Sequence, residues 1–332
     1  MSILHVAREA GVSVATVSRA FNRPETVREE TRRRVTQAAH RVDYRPNASA
    51  RTLRTQRSRV LGVVLPTLLN PVFAECLHGI AEAAAAGGYA IVPMTTEYRL
   101  DAELSAVGAL RAASVDGVVL VVSNPATSVA LRQLRADRIR YVLAYNRHAR
   151  HPCVSVDGIE ALAAAVARLA ALGHRRIAMV SGQRTASDRA QLRHDGFLQG
   201  MKAAGLKPLP LIEVPFVEAA VEQIAAALRA ARRPTALFCS NDLLAIRAMR
   251  AAHLCGLAVP RDLSVVGFDG IALGEDLTPA LATITQPNHD IGRRSVEVLI
   301  GALADRRPID AAQSLLLPHG FRLGESCGAA PA

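Results

Sequence analysis

The sequence predicts an α/β protein in which a small helical unit precedes two doubly wound halves, each built on a parallel sheet. Up to Arg41 the apolar residues recur at helical spacing, whereas from Val60 onward short apolar strands alternate with alanine-rich helices. A second series of the same kind begins at Val154. Because strands that alternate with helices form parallel sheets covered on both faces, each series predicts one such half.

The first 22 residues predict two short helices joined by a tight turn. The first helix has one apolar face, formed by Ile3, Val6, Ala7 and Ala10. Ser2 stands at its N-cap position, Gly11 ends it, and Ser13 can cap the second helix. In that helix Val14, Val17 and Phe21 are expected to face inward, and Ala15, Thr16, Arg19 and Asn22 outward. Two helices with this turn form a helix-turn-helix, whose second helix can enter the major groove of DNA.

A third amphipathic segment, Arg28 to Arg41, completes a three-helix bundle. Its inward residues are Val35, Ala38 and Ala39, and its outward residues are Arg32, Arg33 and Arg34. Residues 1–60 hold thirteen Arg, no Lys and five acidic residues, a net charge of +8 out of +11 for the whole chain. The alternative is a protein-binding bundle with a solvated charged face. The concentration of positive charge in one small unit favours binding to nucleic acid phosphates instead.

The remaining chain reads as two βα series. The predicted strands of the first series are VLGVVLP, YAIVPMT, GVVLVVS and YVLAYN, with helices near 71–87, 101–113 and 126–136. Those of the second are RIAMVSG, IEVPF, TALFCS and SVVGFD, with helices near 158–172, 189–204, 219–231 and 241–255. In such sheets ligands bind beyond the carboxyl ends of the strands, so we expect a pocket between the halves.

Several ordered motifs resemble the LacI/GalR family of repressors. They are VAREAGVSVATVSRAFN, ETRRRV and YRPNASARTLRTQRS near the N-terminus, followed by LGVVLPTLLNPVFAE, LGHRRIAMVSG, PTALFCSNDLLAI and VPRDLSVVGFDG. The resemblance covers nearly the whole chain. It implies a helix-turn-helix headpiece, a hinge helix and an effector-binding core that resembles periplasmic sugar-binding proteins, with two doubly wound subdomains that the chain crosses between three times.

The resulting domain prediction places the headpiece at residues 1–45, the hinge at 46–59 and the core at 60–326, followed by a tail at 327–332. The first subdomain is assigned residues 60–157 and 287–312, and the second residues 158–286 and 313–326. The crossings are therefore expected near Asp157, Gln286 and Ala312.

The resemblance also implies which headpiece and linker residues contact DNA. They are Ser13, Val14, Ala15, Thr16, Ser18, Arg19, Asn22, Arg28, Thr31, Arg32, Asn47, Arg51 and Leu53. Arg19 has the donor geometry to read guanine, whereas Arg28, Arg32 and Arg51 suit phosphates. Asn47 can cap the hinge helix. Leu53 occupies the position of an apolar wedge in the minor groove, although it can instead pack the linker against the core.

The predicted effector-binding residues lie at strand ends and at the start of one helix. They are Phe73, Tyr145, Arg189, Arg193, Phe216, Asn241 and Asp269. Core packing is the alternative for both phenylalanines, a surface salt bridge for Arg193, and helix capping for Asn241 and its neighbour Asp242.

The ligand class is inferred from departures from the family pattern. Tyr145 stands where sugar-binding relatives often have an acid. The segment GFDGIALG has Gly270 where the commoner family pattern has a second acid, and this segment resembles the gluconate-repressor branch. With two arginines nearby, these changes favour a sugar acid or another small organic acid over a neutral sugar.

The sequence predicts no catalytic function, cofactor or metal site. It contains no GxxxxGK[ST], GxGxxG, HExxH or GxSxG motif, and Ser187, Asp188 and His194 are expected to be surface residues. The five scattered cysteines are expected to be reduced thiols. Because the chain shows no leader peptide and no membrane span, we expect a cytoplasmic homodimer on pseudo-palindromic operator DNA, switched by a small-molecule effector. The alternative, a ligand-binding protein without DNA function, leaves residues 1–59 unexplained.

Overall fold

The computed structural model describes residues 2–44, 57–216, 220–305 and 307–331. The chain separates into two compact units, Met1–Arg59 and Val60–Ala332. Each unit has apolar residues clustered in its own interior, so the headpiece and the core are described separately.

The headpiece is a bundle of three helices. Helix α1 spans Ile3–Ala10, α2 spans Val14–Asn22 and α3 spans Glu29–Arg41. Their inward faces meet in one small core, formed by Val6, Ala7, Ala10, Val17, Ala20, Val35, Ala38 and Ala39. The helical spacing of apolar residues in the sequence therefore predicted the bundle correctly.

The turn between α1 and α2 follows the predicted chemistry. Gly11 adopts a left-handed conformation with φ of 61°, which a residue with a Cβ atom adopts only with strain. The Ser13 hydroxyl accepts the backbone N–H of Thr16 at 3.1 Å and so caps α2. Ser2 was expected to cap α1, but its hydroxyl bonds to His5 Nδ1 instead, and the helix begins without a side-chain cap.

One side chain of the headpiece departs from its predicted face. Val14 was placed on the inward face, yet 37% of it is exposed, because the first residue of α2 lies at the rim of the small core. Arg34 is exposed as predicted, and its guanidinium also donates to the carbonyl of Ala10 at 2.6 Å, which satisfies the C-terminal end of α1.

The core contains two six-stranded sheets with the same strand pattern. The strands of the first sheet are β1 (Val60–Leu65), β2 (Ala90–Thr95), β3 (Gly117–Leu120), β4 (Arg140–Ala144), β5 (Cys153–Ser155) and β11 (Leu315–Leu316). Their spatial order is β2-β1-β3-β4-β5-β11, and all pairs are parallel. The order reverses at β1, which creates a crevice at the carboxyl ends of the strands.

The second sheet repeats this arrangement. Its strands are β6 (Ile177–Gly182), β7 (Ile212–Val214), β8 (Ala236–Cys239), β9 (Ser264–Asp269), β10 (Ala282–Thr285) and β12 (Gly320–Arg322). The order is β7-β6-β8-β9-β10-β12, and only the β10–β12 pair is antiparallel. The short strands β5, β10, β11 and β12 were not predicted, whereas β3, β7 and β8, which are equally short, were recognised within longer apolar runs.

The helices of the first subdomain are α4 (Pro71–Ala86), α5 (Leu100–Ala112), α6 (Val129–Ala136) and α11 (Asn288–Ala304), and those of the second are α7 (Gly158–Ala171), α8 (Asp188–Ala203), α9 (Val221–Leu228) and α10 (Asp242–Leu254). The sequence predicted these helices within a few residues, except α11, which was missed. Helix α11 follows the second sheet in the chain but packs against α4 and the first sheet.

The chain passes between the two subdomains three times. The first two passages lie between β5 and α7 and between β10 and α11. The third was expected near Ala312, but Leu315 and Leu316 pair with β5 in the first sheet. The passage therefore comes after Leu316, and residues 313–316 belong to the first subdomain rather than the second.

The C-terminal residues, predicted to form a tail, are attached to the second subdomain. The carbonyl of Gly328 is bonded to the buried His174 ring and to the Ser264 hydroxyl, and the N–H of Ala330 donates to Leu172. The five cysteines are free thiols, as predicted. Among the described residues, no helix combines the length and apolar character that crossing a bilayer requires.

Candidate nucleic-acid interface and ligand pocket

A pocket lies between the two subdomains, beyond the carboxyl ends of strands from both sheets. The first subdomain contributes Asn70, Val72, Phe73, Tyr98 and Tyr145. The second contributes Ser187, Arg189, Ala190, Arg193, Phe216, Ser240, Asn241 and Asp269, with Gln286 at a passage between them. The structure thus brings all seven predicted effector residues to one pocket, where the doubly wound topology places ligand sites.

The centre of the pocket is an ion pair between Arg193 and Asp269. Arg193 Nη2 lies 3.1 Å from Asp269 Oδ1, and Nη1 donates to the carbonyl of Ser240. The guanidinium carbon also lies 3.7 Å from the centre of the Phe268 ring. Only 13% of the Arg193 side chain and 4% of the Asp269 side chain are exposed, so this is a buried pair rather than the surface salt bridge considered from the sequence.

Burial perturbs both groups. It raises the pKa of Asp269 to about 6, while Arg193 and Asn70 act in the opposite direction. Burial lowers the pKa of Arg193, and Asp269 opposes that shift. Gln286 Nε2 donates to Asp269 Oδ1 at 2.8 Å, so the carboxylate has several donors around it. Asp269 also has a φ of 119°, a strained conformation of the kind that concentrates at functional sites.

Arg189 lies at the same pocket but bonds across the two subdomains. Its guanidinium donates to the carbonyl of Val122 at 3.0 Å and to Asp188 Oδ1 at 3.1 Å. The same Asp188 oxygen accepts Asn146 Nδ2 at 2.7 Å, and the backbone N–H of Asp188 donates to the carbonyl of Ser123 at 2.7 Å. We call these four contacts the latch: three of them join the start of α8 to the strand ends of the first subdomain, and the Arg189–Asp188 bond lies within α8.

Aromatic side chains form the pocket walls. The rings of Tyr98 and Phe216 are stacked, with centroids 4.5 Å apart and planes 10° apart, and they come from different subdomains. Phe73 packs edge-on against Tyr145 with centroids 5.6 Å apart. The Tyr145 hydroxyl lies 3.1 Å from the carbonyl oxygen of Val72. Both phenylalanines thus line the pocket in addition to packing against a neighbouring ring.

The side chains of Asn241 and Asp242 make different hydrogen bonds. The Asn241 oxygen accepts the N–H of Leu244 at 2.8 Å and caps α10, so its NH2 group is the part that can donate to a ligand. Asp242 was expected to be the capping residue, but its carboxylate accepts the N–H of Ile271 at 2.8 Å and the hydroxyl of Thr283 at 2.5 Å. Asp242 therefore ties α10 to the strand ends β9 and β10.

The pocket is almost filled by these side chains. Its cavity measures about 30 Å³, which holds a water molecule but not a metabolite. A metabolite does not fit into this cavity as it stands. Because Tyr98 and Phe216 come from different subdomains, separation of the subdomains would break their stack and enlarge the pocket.

Sequence reasoning missed several residues of the pocket. Tyr98 follows β2, and Asn70 follows β1, so their positions after strands of the same sheet edge were an available signal. Gln286 was considered only as a crossing point. Ser187 was set aside as a surface residue, but its side chain is buried at the pocket.

Most of the predicted DNA-contacting residues of the headpiece are at least partly exposed. Ser13, Val14, Ala15, Arg19, Arg28 and Arg32 are exposed, while Thr16, Ser18 and Thr31 are half-buried. Arg33 is paired with Glu29 at 2.7 Å, whereas Arg19 reaches back to the carbonyl of Ala15 at 3.4 Å. The side chain of Asn22 and residues Asn47, Arg51 and Leu53 lie outside the part of the chain that the structure describes.

Two regions match known families. Residues 2–47 match the family described as bacterial regulatory proteins, lacI family, and residues 166–327 match the periplasmic binding protein-like domain. Catabolite control protein A from Priestia megaterium is 30% identical over 331 residues, which cover 98% of this chain and 99% of that protein. The transcriptional repressor PurR from Aliivibrio salmonicida is 32% identical and covers 92% of this chain and 93% of its own length.

A solved structure shows the same likeness in three dimensions. The lac repressor dimer bound to operator and the anti-inducer ONPF superposes with a TM-score of 0.88 at 26% identity. The match covers 99% of this chain and 99% of that chain. The similarity thus extends over headpiece and core together.

Proposed function

Because this chain belongs to the LacI family of metabolite-responsive transcriptional repressors, we propose that its effector is a sugar acid or another small organic acid. The protein is a DNA-binding transcriptional regulator with a helix-turn-helix headpiece and an effector-binding core. The observation that carries the effector proposal is the placement of Arg189, Arg193 and Asp269 around one pocket.

A hydroxy acid matches the two kinds of polar group in this pocket. A carboxylate accepts paired hydrogen bonds from a guanidinium, so Arg193 or Arg189 is its natural partner. The hydroxyl groups of the same molecule can donate to Asp269 and accept from the amides of Asn241 and Gln286. A neutral hexose offers no carboxylate to either arginine, and a simple alkyl acid offers no hydroxyl group to Asp269, so each of them uses only one of the two kinds of polar group.

The aromatic walls support a carbon-chain or ring ligand between these polar groups. Phe73, Tyr98 and Phe216 offer flat apolar surfaces to the C–H faces of such a ligand. The rings of Tyr98 and Phe216 are stacked on one another. A ligand that enters between them replaces this ring–ring contact with contacts between each ring and the ligand.

The switch follows from that replacement. The stacked and latched arrangement excludes a metabolite, so an effector binds a different arrangement of the subdomains more tightly and shifts the population toward it. The latch at Asp188 and Arg189 is the contact that this shift changes first, because its partners lie on both sides of the pocket. The subdomain arrangement in turn controls the linker to the headpiece.

On DNA, the protein acts as a homodimer on a pseudo-palindromic operator. The support is the likeness to the lac repressor dimer on its operator and the two-fold symmetry of helix-turn-helix dimers. Arg19 reads a base edge in the major groove, with Val14 and Ala15 beside it, while Arg28, Arg32 and Arg51 contact phosphates. Asn47 caps a hinge helix, and Leu53 enters the minor groove.

Calorimetric titration of the full-length protein tests the effector class. We expect gluconate-like acids to bind and neutral hexoses to bind at least tenfold more weakly. Arg193→Gln should abolish most of the preference for the acid, whereas Arg175→Gln, which changes an arginine that does not line the pocket, serves as the control. Binding of neutral hexoses alone would contradict the proposal.

A gel-shift assay tests the DNA function. Full-length protein should retard the DNA upstream of its own gene and not an unrelated fragment of equal length. Addition of the acid that binds in calorimetry should change the retarded fraction, and the sign of that change gives the direction of the switch. If the protein retards its own upstream DNA but no acid changes the retarded fraction, the effector proposal fails while the DNA-binding function stands.

A further inference from the structure

Outside the ligand pocket, two histidines and a glutamate meet where α4 and α11 pack together. His78 and Glu82 are one turn apart on α4, and His289 lies in the first turn of α11. His289 Nε2 lies 3.0 Å from Glu82 Oε2, and the rings of His78 and His289 are 5.4 Å apart. One potential ligand atom from each of the three residues lies within 4.8 Å of the other two.

The backbone beneath this cluster is held by a close helix crossing. A Cβ atom at Gly79 would come within 2.1 Å of the carbonyl oxygen of His289, and one at Gly292 would come equally close to that of Cys76. Only glycine permits this approach, so the two helices touch through their backbones beside His78 and His289. Ligands that project from rigid, closely packed helices need little reorganisation to bind an ion.

A carboxylate stands behind the half-buried histidine. Asp290 Oδ1 lies 3.9 Å from His289 Nδ1, while the other ring nitrogen, Nε2, faces Glu82. At this distance the two groups are not hydrogen-bonded, but the negative charge of Asp290 beside the ring favours a cation at His289. The nearby Arg293 is engaged by Asp290 and Glu297, so its positive charge is partly neutralised beside the cluster.

We propose that His78, Glu82 and His289 form a binding site for a divalent transition-metal ion, with zinc as the best match. Two imidazoles and one carboxylate are a known zinc ligand set that leaves a fourth position for water. A hydrogen-bonded surface pair would explain the contact between His289 and Glu82 but gives no role to His78. The sequence did not predict this site, because His289 lies 207 positions after Glu82.

The site would stabilise the first turn of α11, which begins just after a passage between the subdomains. Asn288, the neighbour of His289, donates to the backbone carbonyl of Asp269 at 3.1 Å and to Glu75 at 3.0 Å. A bound ion therefore holds a segment that contacts the ligand pocket, although ion binding does not depend on which effector the pocket accepts.

Titration of metal-free, full-length protein with zinc chloride, in competition with a chromophoric chelator, tests the site. We expect one equivalent of zinc per chain to be bound, and His78→Gln and His289→Gln each to weaken binding at least tenfold. Cobalt substituted for zinc should give the intense visible absorption of a four-coordinate site, and both variants should lose it.

His319→Gln is the matched control. His319 Nε2 lies 2.5 Å from Glu160 Oε2, so this pair reproduces the histidine–glutamate contact, and within the described chain it belongs to no three-ligand cluster. This variant should bind zinc as the unmodified protein does. Absence of binding that competes with the chelator, or binding that His78→Gln and His289→Gln leave unchanged while both variants remain folded by circular dichroism, would overturn the proposal.

Discussion

Asp269 is the residue at which the chemistry of the pocket is most sensitive to its surroundings. Burial raises the pKa of its carboxyl group to about 6, while Arg193 beside it favours the charged form. At neutral pH the carboxylate is therefore ionised and paired. As the pH falls through 6 it gains a proton, and the guanidinium of Arg193 loses its anionic partner.

This change predicts opposite pH dependences for two ligand classes. The affinity for an organic acid should rise as the pH falls from 7 to 5, by at most about tenfold in all, because a negative charge leaves the pocket as Asp269 gains its proton. The affinity for a neutral hexose should not rise, because protonated Asp269 is a weaker acceptor. Calorimetry across this pH range measures both.

Asp269→Asn provides the control for that prediction. The amide cannot ionise, so the acid affinity of the variant should vary little between pH 7 and 5. If the unmodified protein shows no rise, or if the variant shows the same rise, then Asp269 does not control anion binding.

Asp242 gives a prediction on stability. It accepts hydrogen bonds from Ile271 and Thr283 in a buried position, so Asp242→Ala leaves the buried N–H of Ile271 without an acceptor, while the Thr283 hydroxyl keeps only the carbonyl of Ile284. We expect the free energy of unfolding at pH 7 to fall by about 1–3 kcal/mol. Urea unfolding measures it, with Asp276→Ala, at an exposed position, as the comparison. Equal and small losses in both variants would contradict this role.

The pH dependence of the same residue has a defined sign. Burial, with a further contribution from Asp269, raises the pKa of Asp242 to about 7, above its ordinary value of 3.8. Between these values the folded state holds a proton that the unfolded state has released. The contribution of Asp242 to stability therefore decreases as the pH rises from about 4 to 7 and is constant above that range.

At the scale of single elements, α2 is the helix that we propose reads the DNA sequence. Its inner side is fixed by Val17 in the headpiece core, and its start is fixed by the Ser13 cap. This orientation leaves Val14, Ala15 and Arg19 exposed along the outer side. A short helix in a bundle thus has one side committed to packing and the other available for bases.

Arg19→Ala should relax specificity at one operator position. A guanidinium that reads guanine contributes about 1–3 kcal/mol of discrimination at that base pair, and alanine contributes none. Binding to a set of operators with single base changes, measured by fluorescence anisotropy, shows the effect.

Arg32→Ala is the matched arginine variant. It should weaken binding to all sequences by a similar factor and reduce the slope of log affinity against log salt by about 1, as expected for a lost phosphate contact. If Arg19→Ala also weakens every sequence equally, Arg19 is not a base reader.

At the scale of the whole molecule, the pocket is formed only because the chain passes three times between two similar subdomains. The passages bring Asp269 and Arg193 of the second subdomain to Tyr145 and Phe73 of the first. A ligand there contacts both sheets, and its binding is coupled to their relative arrangement. In the switch that we propose, the linker that joins the core to the headpiece transmits the change.

Leu53→Ala tests that transmission. We expect the variant to lose specific operator affinity, because a smaller side chain is a poor wedge in the minor groove, while calorimetry of effector binding to the isolated full-length protein stays unchanged. Leu323→Ala, at an exposed leucine of the core, is the control and should change neither quantity. If Leu53→Ala binds the operator as tightly as the unmodified protein does, Leu53 does not act as a wedge in the minor groove.

The sequence predicted those features that depend on neighbouring residues. The period of apolar residues gave the helices α1 to α3 and the long strands, and the Ser13 cap and the Gly11 turn followed from residue type alone. The seven predicted effector residues all line one pocket, and the sequence indicated them through their positions near strand ends and helix starts and through the family resemblance. Such signals are local, so no knowledge of the three-dimensional arrangement was needed.

Other features depend on residues that are far apart in the chain. The location of Tyr98 against Phe216, the bonds of the latch and the meeting of His289 with Glu82 each join two separate elements. The assignment of 313–316 to the first sheet has the same origin, since β11 is too short to be recognised without its partner β5. The sequence by itself determined a helix-turn-helix headpiece and a doubly wound core with polar strand ends. Only the tertiary structure decided which of these groups touch, because distances and burial arise from packing between elements and not from the order of residues.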